Sequence, residues 1–252
     1  MYHVRFLYTP ETPQDPGSIK TRVLMDRHFN DEFLTPEDKS RIEENWKVVL
    51  EETKGKATTA EKSLGSLVDT QDGMFTYIPT EFKVYCAAPR SHKTRNTPAQ
   101  TMSNQFYENL RISATSGVMR FIDDHYIVHR RGPKVTHCAN MFDSSVGGFF
   151  RIENGELQYM KGLHEKLARE TKVKPEDVKE IKYLGNHTSD NPDYSGVIDF
   201  RVLVNLEHGQ IKERIDPNYF SECKFPHAKE LPEFIYQHYA VENSMIGDGA
   251  AA

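Results

Sequence analysis

Val146-Gly147-Gly148-Phe149-Phe150-Arg151-Ile152-Glu153-Asn154-Gly155-Glu156 runs from an apolar strand with two adjacent glycines, through a polar turn, into a helix over about 157–171. Paired glycines between apolar neighbours mark a bulge or a close approach of the backbone to another element. In the helix, Tyr159 or Met160, Leu163 and Leu167, with Val173 just past its end, recur at the period of a buried stripe. Upstream, Ser116-Gly117-Val118-Met119-Arg120-Phe121-Ile122 and His125-Tyr126-Ile127-Val128-His129-Arg130-Arg131 flank Asp123-Asp124, which predicts a hairpin around an acidic turn. The order is hairpin, Arg-Arg exit, glycine strand, Gly-Glu loop, amphipathic helix.

That order resembles the Nudix hydrolase superfamily. Val146-Gly147-Gly148-Phe149 is similar to the opening of the family's box, and Gly155-Glu156 to its Gly-Glu turn, two residues late. Leu163-His164-Glu165-Lys166-Leu167-Ala168-Arg169-Glu170-Thr171-Lys172-Val173 is similar to its helical half. With Leu167 and Val173 on the aliphatic positions, Glu165 stands where the family has arginine. Lys166 and Arg169 stand where it has glutamates, and Lys172 where it has glycine, so the box is degenerate. Glu170 alone keeps a metal-binding carboxylate in place, although in a register shifted by a residue or two Glu153, Glu156, Glu165 and Glu170 can form a displaced cluster.

The resemblance implies an α+β fold: a Nudix-like α/β/α sandwich with a mixed central sheet, plus an N-terminal α+β extension. It implies Mg²⁺ or Mn²⁺ held by Glu170 and Glu156, and hydrolysis of a nucleoside diphosphate linked to another moiety. Glu170, Glu165 and Asp199 are then the candidate catalytic groups. Gly147, Gly148, Arg130, Arg131, Lys166 and Arg169 are the candidate substrate contacts. The succession Phe82-Lys83-Val84, Phe106-Tyr107, Gly117-Val118 is similar to the UDP-sugar diphosphatase branch, which brings in nucleotide sugars as substrates.

The substitutions in the helix keep other readings open. Carboxylates three and four residues apart share one helix face and hold hard cations through oxygen. Lys166 and Arg169 put positive charge where such a cation would sit, and basic side chains contact phosphate directly. One alternative is a catalytically impaired module of the same fold that binds a phosphorylated ligand or a protein partner. Another is a structural protein with a vestigial pocket.

Composition bounds these readings. The chain has 252 residues, 37% apolar and 27% charged, with a formal net charge of −5. That balance gives no electrostatic footprint for nucleic acid. No run of eighteen apolar residues predicts a membrane span, and Met1-Tyr2-His3-Val4-Arg5 opens no signal peptide. Cys86, Cys138 and Cys223 are far apart and lack metal-ligand spacing, so a reduced, cytoplasmic protein is expected.

Along the rest of the chain, Tyr2 to Tyr8 reads as a strand. Thr35-Pro36-Glu37-Asp38 starts a helix carrying Ile42, Trp46, Val49 and Leu50 on one face and ending near Gly55. Residues 56–66 read as a polar loop or a frayed helical segment, and 72–79 and 81–85 as strands around a turn at Pro79. Arg90, Lys93 and Arg95 make a basic loop suited to anions. The segment 89–98 also marks a boundary between an N-terminal extension, 1–99, and a Nudix-like domain, 100–252. After the box helix, 181–185 and 196–204 read as strands joined by a turn from Asn186 to Tyr194 that contains His187, Asp190 and Asp193. Glu207-His208-Gly209-Gln210 reads as a turn, Tyr219 to Phe225 as a strand, and a last helix starts at Ala228. Asp199 interrupts its apolar strand, which makes it a candidate ligand or general base.

Overall fold

The computed structural model describes residues 4–52, 63–86, 102–132, 142–143, 145–189, 195–215, 220–234 and 237. The protein is α+β, built on an eight-stranded mixed sheet. Seven strands lie in the order Val4–Tyr8, Val178–Ser189, Ser195–Val204, Ile112–Phe121, Ser63–Gln71, Met74–Glu81, Lys20–Val23. Ser195–Val204 runs parallel to Ile112–Phe121, and Lys20–Val23 parallel to Met74–Glu81; the other pairings are antiparallel. The eighth strand, Ser145–Phe149, makes the sheet fork. Ile112–Phe121 pairs along one edge with Ser195–Val204 in unbroken register. Its other edge is divided: Ile112 pairs with Ser66, while Ala114 to Val118 pair with Phe149 to Ser145.

Side chains alternate across the sheet and feed two cores. Met119, Phe121, Phe200 and Val202 join Leu163 and Leu167 in one. Leu64, Ile78 and Ile112 join Ile42, Trp46 and Val49 in the other. The helix Tyr159–Glu170 thus covers one face and Pro36–Glu52 the other. Gly117 lets the first helix approach: a Cβ there would stand 2.9 Å from Leu163 Cδ1. Leu163 and Leu167 are buried, each stabilising by about 1.5–3 kcal/mol.

The N-terminal half differs from its sequence reading. Asp72 and Gly73 both have positive φ (52° and 71°), the geometry of a tight hairpin turn, so the strands are Ser63–Gln71 and Met74–Glu81. Pro79 lies within a strand, opposite Gly65. It is tolerated because the ladder to Lys20–Val23 ends at Tyr77 and asks no donor of residue 79. Residues 82–86 are helical, not a strand. Leu64 and Ser66, in the stretch read as a polar loop, are buried strand residues.

The acidic hairpin is shorter than its pattern. Phe121 N–H donates to His125 O and Arg120 bridges Tyr126, then the chain departs. Val128–Arg131 enters a separate three-stranded sheet between Phe220–Lys224 and Phe142–Asp143. Asn186 to Ser189 extend the Val178–Ser189 strand rather than turning, with buried Asn186 accepting from the Tyr183 hydroxyl. His208–Lys212 is a short helix where a turn was expected, and the last described helix begins at Leu231. Trp46 and Cys86 are buried. The basic loop, the boundary at 89–98, Asp190, Asp193, Cys138 and the C-terminal tail lie outside the described residues. Among the described residues no helix is long and apolar enough to cross a membrane.

Candidate functional site

The helix Tyr159–Glu170 begins where Gln158 N–H meets Arg151 O at 2.9 Å. It is held close to the glycine strand: a Cβ on Gly162 would stand 3.1 Å from the Phe150 ring. At its far end Lys172 takes left-handed backbone, φ 57°, and its Nζ donates to Arg169 O at 2.9 Å. That is the terminating conformation glycine usually supplies.

Between this helix and the forked strands lies a groove of about 280 Å³. Leu64, Phe82 and Phe149 form an apolar wall, and the Phe82 and Phe149 rings are 6.1 Å apart. Arg151, Lys161, Lys166 and Arg169 bring four cations, against the two carboxylates Glu153 and Glu165. Glu153 is paired with Lys161 at 2.6 Å. The groove therefore carries a positive excess, suited to an anion with an apolar portion.

Lys166 crosses directly over Gly148 on the strand Ser145–Phe149, so a Cβ at that glycine would collide with the lysine side chain. Gly147 is opposite Ser116 in the same ladder. Glu170 lies behind the groove, buried, with a carboxylate oxygen 2.5 Å from the Arg169 guanidinium. Burial pushes its carboxyl above the usual range, against the lowering pull of Lys166, Arg169 and Arg131. Glu165, Lys166 and Arg169 are thus gathered at the groove with Glu170 beneath them.

The other predicted residues lie elsewhere. Arg130 pairs with Glu222 at 3.2 Å, and Arg131 with Asp143 at 3.1 Å, although Arg131 also acts electrostatically on Glu170. Glu156 is exposed on the short strand Glu156–Leu157, opposite Glu153, and does not line the groove. Asp199 is level with Ser116 and one residue from Phe200, so it projects from the sheet face opposite the helix. Its Oδ2 is 2.6 Å from His187 Nδ1.

Sequence reasoning passed over Arg151 and Lys161. Lys161 was within reach, because it precedes Glu165 by four residues and so shares its helix face. A divalent cation of the Mg²⁺ type needs several oxygen donors. Around Glu170 one carboxylate is already committed to Arg169 and faces three cations, so this donor set does not fit such an ion. Among the described residues, Asp123, His125 and His208 form a different group of potential ligands, away from the groove.

No family model matches the chain, and no curated protein does. Solved structures do. DR0079 from Deinococcus radiodurans is 16% identical over 70% of this chain and 91% of that one, with a TM-score of 0.42. The MutT protein from Methanosarcina mazei is 14% identical over 53% and 88%, with a TM-score of 0.35. The Nudix domain of Shewanella oneidensis NrtR, solved with ADP ribose, is 16% identical over 57% and 86%, with a TM-score of 0.34.

Proposed function

We propose that the protein is a Nudix-like module that binds a phosphorylated small molecule of the nucleoside-diphosphate class without needing a divalent cation. The observation that carries this reading is Lys166 lying over Gly148 beside Glu170, a cation at the position where a metal-dependent site needs carboxylate. Arg151, Lys166 and Arg169 meet the phosphates, and Phe82 and Phe149 offer a face to a base or sugar. Each charge-assisted contact is worth about 1.5–3 kcal/mol.

The test is calorimetry with ADP and with UDP-glucose as probes, in EDTA and then in Mn²⁺. Binding in EDTA, weakened about tenfold or more by Lys166→Glu, supports the proposal. Binding only with Mn²⁺, accompanied by cleavage of the diphosphate, would replace it with the second reading, a metal-dependent pyrophosphohydrolase. That reading has one observation in its favour: Glu153 and Glu165 both line the groove in front of Glu170.

A further inference from the structure

We propose that Asp123, His125 and His208 form a separate site for a divalent transition-metal ion of the zinc class, which clips the acidic turn to the C-terminal part of the chain. His208 is distant in sequence from Asp123 and His125, yet the ligand atoms of the three side chains lie within 4.8 Å of one another. His208 Nδ1 is 2.7 Å from Asp123 Oδ2, and His125 Nδ1 is 3.5 Å from Asp123 Oδ1. Asp123 Oδ1 is buried and has no hydrogen-bond partner.

The His125 and His208 rings are 4.1 Å apart, centroid to centroid, and a nitrogen of each faces the Asp123 carboxylate. An ion there would take a lone pair from each neutral ring and an oxygen from Asp123. Tetrahedral bonds of about 2.0–2.2 Å put ligand atoms about 3.3–3.6 Å apart, closer by roughly 1.2–1.5 Å than the 4.8 Å limit here. His227 packs edge-on to His125 at 5.3 Å. Its Nδ1 accepts from Lys229 N–H at 3.2 Å, and His227 is not one of the three grouped ligands, so water would fill a fourth position.

Two imidazoles and one carboxylate select borderline metals over Mg²⁺. The backbone around the ligands is pinned. Tyr126 N–H donates to Pro226 O at 3.0 Å, and Ala228 N–H donates to Asp124 O at 2.7 Å. Asp124 is engaged by Arg120 at 2.5 Å, which leaves Asp123 as the acid facing the rings. The site lies beyond the end of Ile112–Phe121, on the order of 20 Å along the strand from the residues opposite the glycines. It is independent of the groove's ligand.

The experiment takes the full chain stripped with EDTA and titrates it with Zn²⁺, with Mg²⁺ as a contrast and Co²⁺ as a spectroscopic probe. The expected result is one equivalent of Zn²⁺, bound far more tightly than Mg²⁺, with a raised melting temperature. Asp123→Asn and His208→Gln should weaken Zn²⁺ about tenfold or more and abolish the Co²⁺ visible bands, while His164→Gln changes neither. Should His208→Gln fail to fold by circular dichroism, the near-isosteric Asp123→Asn decides. Unchanged Zn²⁺ affinity in a folded Asp123→Asn protein, or wild-type binding of Zn²⁺ no tighter than Mg²⁺, would overturn the proposal.

Discussion

Lys166 covers Gly148 so closely that a Cβ on the glycine would stand 3.0 Å from Lys166 Cδ, with the outer atoms of the side chain nearer still. The pairing ties a helix residue to the strand that forks from the centre of the sheet, and it fixes the position of the groove's inner cation.

Gly148→Val should therefore eject Lys166 from its seat and weaken binding of ADP about tenfold or more. Gly209→Val is the comparison, because nothing lies within 4 Å of a Cβ at that residue. Calorimetry on both variants checks this. Equal affinities would mean that the lysine's seat is irrelevant to binding.

Glu170 gives a prediction with a definite sign. Burial holds its folded-state pKa above the ordinary 4.5, so its contribution to stability is fullest below about pH 4.5 and is lost as pH rises through the raised value. Glu170→Gln removes that loss. The variant should melt higher than wild type at neutral pH, with the difference shrinking as the solution is acidified toward 4.5. Affinity for ADP in EDTA should be unchanged or higher, since a repelling charge is gone. A lower melting temperature at neutral pH would show that the contact with Arg169 outweighs the burial.

His129 acts in the opposite direction. It is buried, with its ring 4.0 Å from that of Phe220, and burial pulls its pKa from 6.5 to about 4. The nearby Arg131 pulls the same way and Asp143 opposes. Stability is present above 6.5 and lost as pH falls toward 4, at up to about 1.4 kcal/mol per pH unit. His129→Leu should flatten this part of the unfolding profile, measured by urea titration between pH 7 and 4.

Asp38 joins two helix starts. Its carboxylate accepts from the Thr35 hydroxyl at 2.8 Å, from Ser103 N–H at 2.8 Å and from the Ser103 hydroxyl at 2.6 Å. Burial works to raise its pKa, but these bonds outweigh it and the net shift is downward. Asp38→Ala leaves part-buried donors unmet and should cost about 1–3 kcal/mol, read from denaturant midpoints. Ser103→Ala also removes the cap on Phe106 N–H; because the two side chains share a bond, the double variant should lose less than the two single losses added.

What the sequence reveals depends on the range of the signal. Leu163, Leu167 and Val173 announce the helix Tyr159–Glu170 because their period is local, and the paired glycines announce a close approach. Pro79 misled because proline marks turns in general, while here the strand is paired with Gly65 on one edge and the other edge has no ladder asking a donor of that residue. Asp199 was assigned to the site from its interruption of an apolar run. A run of that kind does not say which face belongs to the helix; pairing with Ile112–Phe121 does. Arg151 and the group Asp123, His125 and His208 had no motif to announce them, because only the folded topology brings 208 beside 123.

The divided edge of Ile112–Phe121 has a consequence for cutting the chain. Leu64 and Phe82 on one side of the groove come from the first 86 residues, and Lys166 and Arg169 on the other come from beyond residue 150. A fragment starting near 100 would keep the cations and Phe149 but lose Leu64 and Phe82 from the apolar wall. It would also expose the strand edge at Ile112 that Ser66, in the first strand of the hairpin Ser63–Gln71 and Met74–Glu81, now occupies. Such a fragment is half of a vise, with an unpaired strand ready to recruit whatever polypeptide is nearby.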